Sequence, residues 1–398
     1  MWFNYLRKPT PTDLLTSPEA FRYFEYGMFC MGWHTPAKFK AIYYIFATLI
    51  IAWCVVYLPI GIIISFIKDL NTFTPSELLT VLQLFFNSVG MPFKVLFFNV
   101  YISRFYKAKK ILSEMDRRCN TLNERIEVHR WVVRCNMAYL IYQMIYTAYT
   151  ISTFLSSALS GKLPWRIYNP YVDWRESRSS FWKAALNETA LMLCSVTQTL
   201  MSDIYPLLYG LILRAHIKLL QLRVEKLCTD PEKSDIENQE DLINCIKDHK
   251  LIKEYAEMIR PAIARTIFIQ FLLIGICLGL SMINLLFFAD IWTGLATVAY
   301  INGLMVQTFP FCFVCDLIKS DCERLDNPTI FHSNWMHTSR RYKTSLIYFL
   351  KSSQKSIAFT AGSIFPISTN SNIQVAKLAF SVVTFVNQLN IADRLTKT

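Results

Sequence analysis

Residues 263–288 read IARTIFIQFLLIGICLGLSMINLLFF. After Ala289-Asp290, residues 291–317 read IWTGLATVAYINGLMVQTFPFCFVCDL. Each run exceeds the roughly 20 mostly apolar residues that a helix needs to cross a bilayer. Arg265 and Asp316 are the only charges, one near the end of each run. With two residues between them, the chain crosses and returns. No water reaches the bilayer core to satisfy peptide groups, so each run must bond its own backbone as a helix.

Outward from this pair, further runs at 41–67, 76–101, 137–159, 187–213 and 371–393 bring the number to seven. Those at 76–101 and 371–393 are weaker, holding Lys94 and Lys377 among many polar residues. Composition agrees with the runs. The chain is 53% hydrophobic and 18% charged, against about a quarter charged in soluble domains. The expected fold is an all-α membrane protein, a single domain of seven transmembrane helices over residues 1–398. Residues 1–40 hold five basic residues and no short apolar core ending in small residues, so the first run is expected to stay as a span.

Charge sets the expected orientation. Lys and Arg number five in residues 1–40, and nine, nine and seven in the loops 102–136, 214–262 and 318–370. The opposite side holds one in 68–75, five in 160–186, none in 289–290 and two in 394–398. Basic residues concentrate in cytoplasmic loops. The N-terminus is therefore expected inside and the C-terminus outside. The net charge of +12 belongs to membrane-flanking loops, so it does not indicate nucleic acid. Helical patterning in the three inside loops (Leu219, Leu220, Arg223, Leu227; Leu242, Ile246, Ile252) predicts helices extending below the membrane into a cytoplasmic anchor bundle. The outside loop 160–186 is aromatic and polar, as a lid would be.

Local signals sharpen the boundaries. Thr74-Pro75-Ser76-Glu77 carries an N-cap, a proline at the first helical position and a glutamate at the third, and should start the second span. Gly90-Met91-Pro92 predicts a kink in it. Gly362, Pro366 and the polar stretch 368–372 should separate a cytoplasmic helix near 337–356 from the last span.

Enzyme chemistry finds little support. There is no phosphate-binding glycine loop, nucleophile elbow or dinucleotide fingerprint. Cys312-x-x-Cys315 lies at the inner end of an apolar run without further ligands, and the six histidines are scattered, so no metal or cofactor is expected. Loop 160–186 has no cysteine, which argues against an extracellular disulfide framework. Asn187-Glu188-Thr189 is the one glycosylation sequon, at a membrane edge where modification is awkward.

Two intramembrane charges stand out. Lys94 and Asp203 each cost roughly 2.5–3.5 kcal/mol at mid-membrane on insertion scales. Their spans run in the same direction and both charges lie past the middle, toward the inside. Either they form an ion pair or each reaches separately to water or polar side chains.

The outer halves of four spans are aromatic and hydroxyl-bearing. Tyr149, Thr153 and Ser156 share one face of the third span. Met192 and Val196 lie on the fourth, Thr297 and Tyr300 on the sixth, Phe85 and Ser88 on the second. An apolar pocket with a few polar groups is the usual form of a small-molecule site, but ordinary helix packing uses the same residue types. The last run carries Ser381, Thr384, Asn387, Gln388 and Asn390, a polar stripe suited to a water-filled path or to contacts between helices.

The chain resembles the insect odorant receptors. The resemblance rests on Phe21-Arg22-Tyr23 through Gly32-Trp33, on YPLLYGLILRAHIKLLQLRVEKL at 205–227, and on the last third. There Trp335, Arg340-Arg341-Tyr342, Ser353-Gln354-Lys355, Ala361-Gly362, Phe365-Pro366 and Phe380-Ser381 follow in order. Thr384-Phe385 departs mildly from the usual Thr-Tyr. The resemblance covers essentially the whole chain and is to a fruit-fly-type ligand-tuning subunit rather than the longer co-receptor. It implies an odorant-gated nonselective cation channel, a heterotetramer with the co-receptor in the plasma membrane of dendritic cilia of olfactory sensory neurons. A small volatile ligand would sit among spans two, three, four and six. The last span would line the pore, with Gln388, Ile391 and Ala392 at its constriction. The rivals are a G-protein-coupled chemoreceptor, which would need an outside N-terminus, and a transporter, which would favour inverted repeats.

Overall fold

The helix at the second run begins where its sequence says it should. In the computed structural model, Thr74 Oγ1 accepts from the Glu77 N–H and the Glu77 carboxylate accepts from the Thr74 N–H, a reciprocal cap. The structure describes residues 4–33, 39–159, 161, 163–325 and 335–388.

After α1 (Arg22–Cys30) come α2 (Lys40–Ile51) and α3 (Leu58–Asp69), joined through a π-helical turn at Ala52–Tyr57. Four long helices follow: α4 (Pro75–Arg117), α5 (Leu122–Leu159), α6 (Arg178–Val224) and α7 (Asp235–Ile283). A π-turn at Asn284–Phe288 leads from α7 into α8 (Ile291–Glu323). Then come α9 (Arg340–Ser353), the two-residue strands Thr360–Ala361 and Phe365–Pro366, and α10 (Thr369–Gln388). Between those strands Gly362 adopts φ +57°, a left-handed conformation that costs glycine little.

By length and composition, four helical stretches among the described residues are apolar enough to cross a membrane: Lys40–Asp69, Pro75–Arg117, Asp235–Phe288 and Thr293–Glu323. The more polar runs 137–159 and 187–213 lie in α5 and α6, and 371–388 in α10. Helix α6 starts at Arg178, inside the stretch read as loop, because Ser177 caps it through its side chain. Large apolar side chains point outward along these helices, among them Ile45, Leu49, Ile63, Leu96, Val100 and Leu295. In water such a belt is untenable; in a bilayer it faces solvent of its own kind.

Four helices keep a proline in their interior: Pro92 in α4, Pro206 in α6, Pro261 in α7 and Pro310 in α8. Each deletes one intrahelical hydrogen bond, yet each helix continues across its proline. Gly90 lets α4 approach α7 closely, since a Cβ there would run into Leu273.

Below the bilayer-length segments, α4, α5, α6 and α7 continue and bind one another. Arg223 of α6 bonds Glu124 at the start of α5 at 2.7 Å and also bonds Asp248 of α7. Arg118, the cap residue just after α4, bonds the same Asp248. Helix α9 packs on α7, with Tyr342, Leu346 and Phe349 buried.

Candidate functional site

Lys94 and Asp203 meet. Lys94 Nζ lies 2.8 Å from Asp203 Oδ1, with side chains 3% and 0% exposed. Tyr146 of α5 donates its hydroxyl to the other carboxylate oxygen at 3.0 Å. Opposite charges this close repay desolvation only when the remaining lone pairs are satisfied, and Tyr146 supplies that third contact. Of the two readings open from sequence, the structure contains the pair.

Helical spacing relates this triad to the face above it. Asn87 lies two turns from Lys94 on α4, Val196 two turns from Asp203 on α6, and Tyr149 one turn from Tyr146 on α5. The triad thus joins α4, α5 and α6 one to two turns from that face. The Tyr149 and Tyr300 rings lie 6.3 Å apart, joining α5 to α8. Asn87 donates to the Tyr300 hydroxyl and reaches Cys277 Sγ of α7 at 3.4 Å. Met192 is buried, Val196 half-buried, and Phe85 packs edge-on against Phe86 at 5.6 Å.

The hydroxyls read as pocket groups are mostly spent on their own helices. Ser88 donates to the Phe85 carbonyl, Thr153 to Tyr149 and Thr297 to Thr293, at 2.8–2.9 Å. Such back-bonding is what short hydroxyl side chains do in apolar helices. Ser156 lies in α5, its side chain outside the described set.

A second polar string runs toward the last helix. Gln270 of α7 donates to Gln307 of α8 at 2.7 Å, and Gln307 neighbours the Tyr146 hydroxyl. One residue on, Thr308 accepts from Asn372 of α10 at 3.0 Å. The Thr369 N–H donates to Asp316 at 2.9 Å. Gln388 is exposed at the end of α10; Ile391 and Ala392 lie outside the described residues.

Residues 165–168, between α5 and α6, are tied to three helices. Glu188 of α6, 2% exposed, accepts the N–H groups of Trp165 and Ile167 at 3.1 and 2.8 Å. Tyr57 donates to the Tyr168 carbonyl at 2.6 Å, and the Tyr168 N–H reaches the Gly61 carbonyl at 3.2 Å. Arg166 pairs with Glu77 of α4 at 3.3 Å. Glu188 was overlooked in the sequence because it sits inside the sequon. Asn187 itself is half-buried within α6 and lines an open groove of about 810 Å³ with Trp53, Tyr57, Asn169 and Lys183. Among the described side chains, none of those read as a ligand face lines that groove.

All eleven cysteines are free thiols, and the described residues contain no cluster suited to a metal ion.

What these helices make can be compared with known proteins. Residues 74–380 match the 7tm Odorant receptor family model. Odorant receptor 98a of Drosophila melanogaster is 83% identical over 397 residues, covering all of both chains. Odorant receptor 42b of the same fly is 44% identical over 99% of each. The fold is that of the insect olfactory receptor OR5 from Machilis hrabei in complex with eugenol, at a TM-score of 0.72, 12% identity, and 94% and 99% of the two chains covered. The chain belongs to the insect odorant receptor family. It is a multi-pass membrane odorant receptor, a receptor of the ligand-gated channel type rather than an enzyme.

Proposed function

We propose that this chain is the odorant-tuning subunit of a nonselective cation channel, assembled as a heterotetramer with a co-receptor in the ciliary plasma membrane of olfactory neurons. The observation that carries this reading is the full-length 83% identity with Odorant receptor 98a. The basic loops favour an inside N-terminus and an outside C-terminus.

The ligand is a small volatile, held among the outer parts of α4, α5, α6 and α8. Phe85, Tyr149, Met192, Val196 and Tyr300 supply most of the contact surface, with Ser88, Thr153, Ser156 and Thr297 shaping it. The apolar wall favours desolvation of the ligand, and a very small ligand gains at most about 1.5 kcal/mol per heavy atom. It opens the channel only by binding the open arrangement better than the closed one. Helix α10 forms the pore wall, with Gln388, Ile391 and Ala392 at the narrowest part.

The test is co-expression with the co-receptor and an odorant panel read as whole-cell current. Ligand-evoked current is expected only when both subunits are present. Silence toward every compound would overturn the reading, and saturable uptake without current would favour a transporter.

A further inference from the structure

The groove of about 810 Å³ lies between α6 and the helix that passes from α2 through the π-turn. The two run antiparallel. The Cys54 and Cys194 thiols are hydrogen-bonded and set their level, and Arg175, just before α6, reaches Asp69 at the end of α3 at 2.9 Å. Phe46 stands eight residues before Cys54, and Lys183 eleven before Cys194. At 1.5 Å per residue, these two lining residues mark ends roughly 28 Å apart. The ends differ in chemistry. Phe46, Leu49 and Trp53 line the first, Phe46 and Leu49 being 46% and 64% exposed on a helix apolar enough to cross a bilayer. Asn169, Lys183 and Asn187 line the second, and no carboxylate lines either. Among the described residues, the side chains of Lys183 and Asn187 have no hydrogen-bond or ion-pair partner. The Asn169 oxygen accepts the Tyr171 N–H at 2.9 Å, so its amide nitrogen remains a donor.

We propose that this groove seats one glycerophospholipid of the surrounding bilayer, an acyl chain along Phe46, Leu49 and Trp53 and the phosphate on Lys183 and Asn187. The apolar end faces hydrocarbon, so its occupant is an acyl chain. The other end presents a cation and two amide donors. A phosphodiester answers them, being an anion with oxygen acceptors and no proton to place. One leaflet with its headgroup layer is roughly 20 Å deep, and the groove spans that depth. A diacylglycerol or a sterol would fill the apolar end but offer Lys183 no counter-charge. Inorganic phosphate would make no use of the apolar end. The sequon does not compete for Asn187. The Thr189 hydroxyl donates to the Ala185 carbonyl at 2.7 Å within unbroken helix, and the Asn187 side chain lines the groove.

The experiment uses the full chain purified in an uncharged sugar detergent and needs neither odorant nor current. The probes are phosphatidylcholine with a photoactivatable acyl chain and the diacylglycerol with the same chains; labelled peptides are mapped by mass spectrometry. Phosphatidylcholine should label residues 46–53 to saturation and be displaced by unlabelled phosphatidylcholine. Labels at Leu96 and Val100, on the outward face of α4, should instead rise in proportion to the probe. Diacylglycerol should need about fivefold more to half-saturate residues 46–53, the upper range for an exposed ion pair. Lys183→Gln should raise the phosphatidylcholine requirement about fivefold and erase the difference between the probes. Ala52→Trp, which fills the groove, should abolish the saturable label and leave that on α4. Labelling at 46–53 that merely tracks α4, or equal half-saturation by the two probes in wild type, overturns the proposal. So does a glycan on Asn187, which would block the groove. Label lost as the chain self-associates would make the groove a contact between copies, and overturns it too.

Discussion

Lys94 and Asp203, 109 residues apart in the chain, are in contact at 2.8 Å with almost no exposure, and Tyr146 completes the carboxylate's shell. Removing one partner of such a pair strands the other charge, at about 3–5 kcal/mol. Lys94→Met and Asp203→Asn should each lower the melting temperature of purified receptor sharply, and the double variant should be no worse than the poorer single. Additive losses would show that the two charges are held by different neighbours.

Glu188 should behave as the fastening of residues 165–167. Its carboxyl group accepts two backbone N–H groups, and such bonds contribute about 0.5–1.5 kcal/mol each. Glu188→Ala is expected to accelerate amide hydrogen exchange at Trp165 and Ile167 while leaving α7 unaffected. Unchanged exchange at those two amides would remove this role.

The end of the bundle where α4 meets α6 carries a pH signature. His216 Nε2 lies 3.0 Å from Ser17 Oγ, which donates to Asp116 at 2.6 Å. Burial pushes His216 down from 6.5 to about 3 and Asp116 up from 3.8 to about 6. As pH falls below 6.5, the unfolded chain protonates His216 and the folded chain does not, so stability is lost. As pH falls below 6, the folded chain protonates Asp116 first, so stability is gained. Each slope is about 1.4 kcal/mol per pH unit, and the two oppose. His216→Gln deletes only the first. Relative to wild type, its melting temperature should rise as pH is lowered from 6.5 toward about 5; a pH-independent difference would rule the assignment out.

Gln388 closes α10 and is exposed. In the assembled channel, Gln388→Cys should make odorant-evoked current sensitive to a charged thiol-modifying reagent applied from outside, with wild type, which has an exposed Cys30, as the control. A current that survives labelling would place the pore wall elsewhere.

What could be read before any coordinates depended on how local the cause was. The cap at Thr74–Glu77 is a four-residue pattern, and it stands in the structure as written. A lysine inside an apolar run advertises its own cost, so Lys94 and Asp203 were visible as charges. Their joining was not, because partner choice depends on how two helices are rotated against each other. The face of Tyr149, Thr153 and Ser156 was sound as periodicity, yet its threonine bonds its own helix, which spacing alone does not disclose. Glu188 and His216 were hidden for a different reason. The bonds that define them span 21–23 and 199 residues, and nothing adjacent in sequence marks either one.

Prolines 92, 206, 261 and 310 each leave one rung missing in a helix that otherwise runs on. At 1.5 Å per residue, the 49 residues of α7 make a rod of roughly 70 Å. A rod with one weak joint acts as a lever: a small swing of one arm about the joint becomes a larger sweep at the tip of the longer arm. The bonds of Arg118 and Arg223 to Asp248 hold one arm of α7, and where Pro261 falls sets the ratio of that arm to the other.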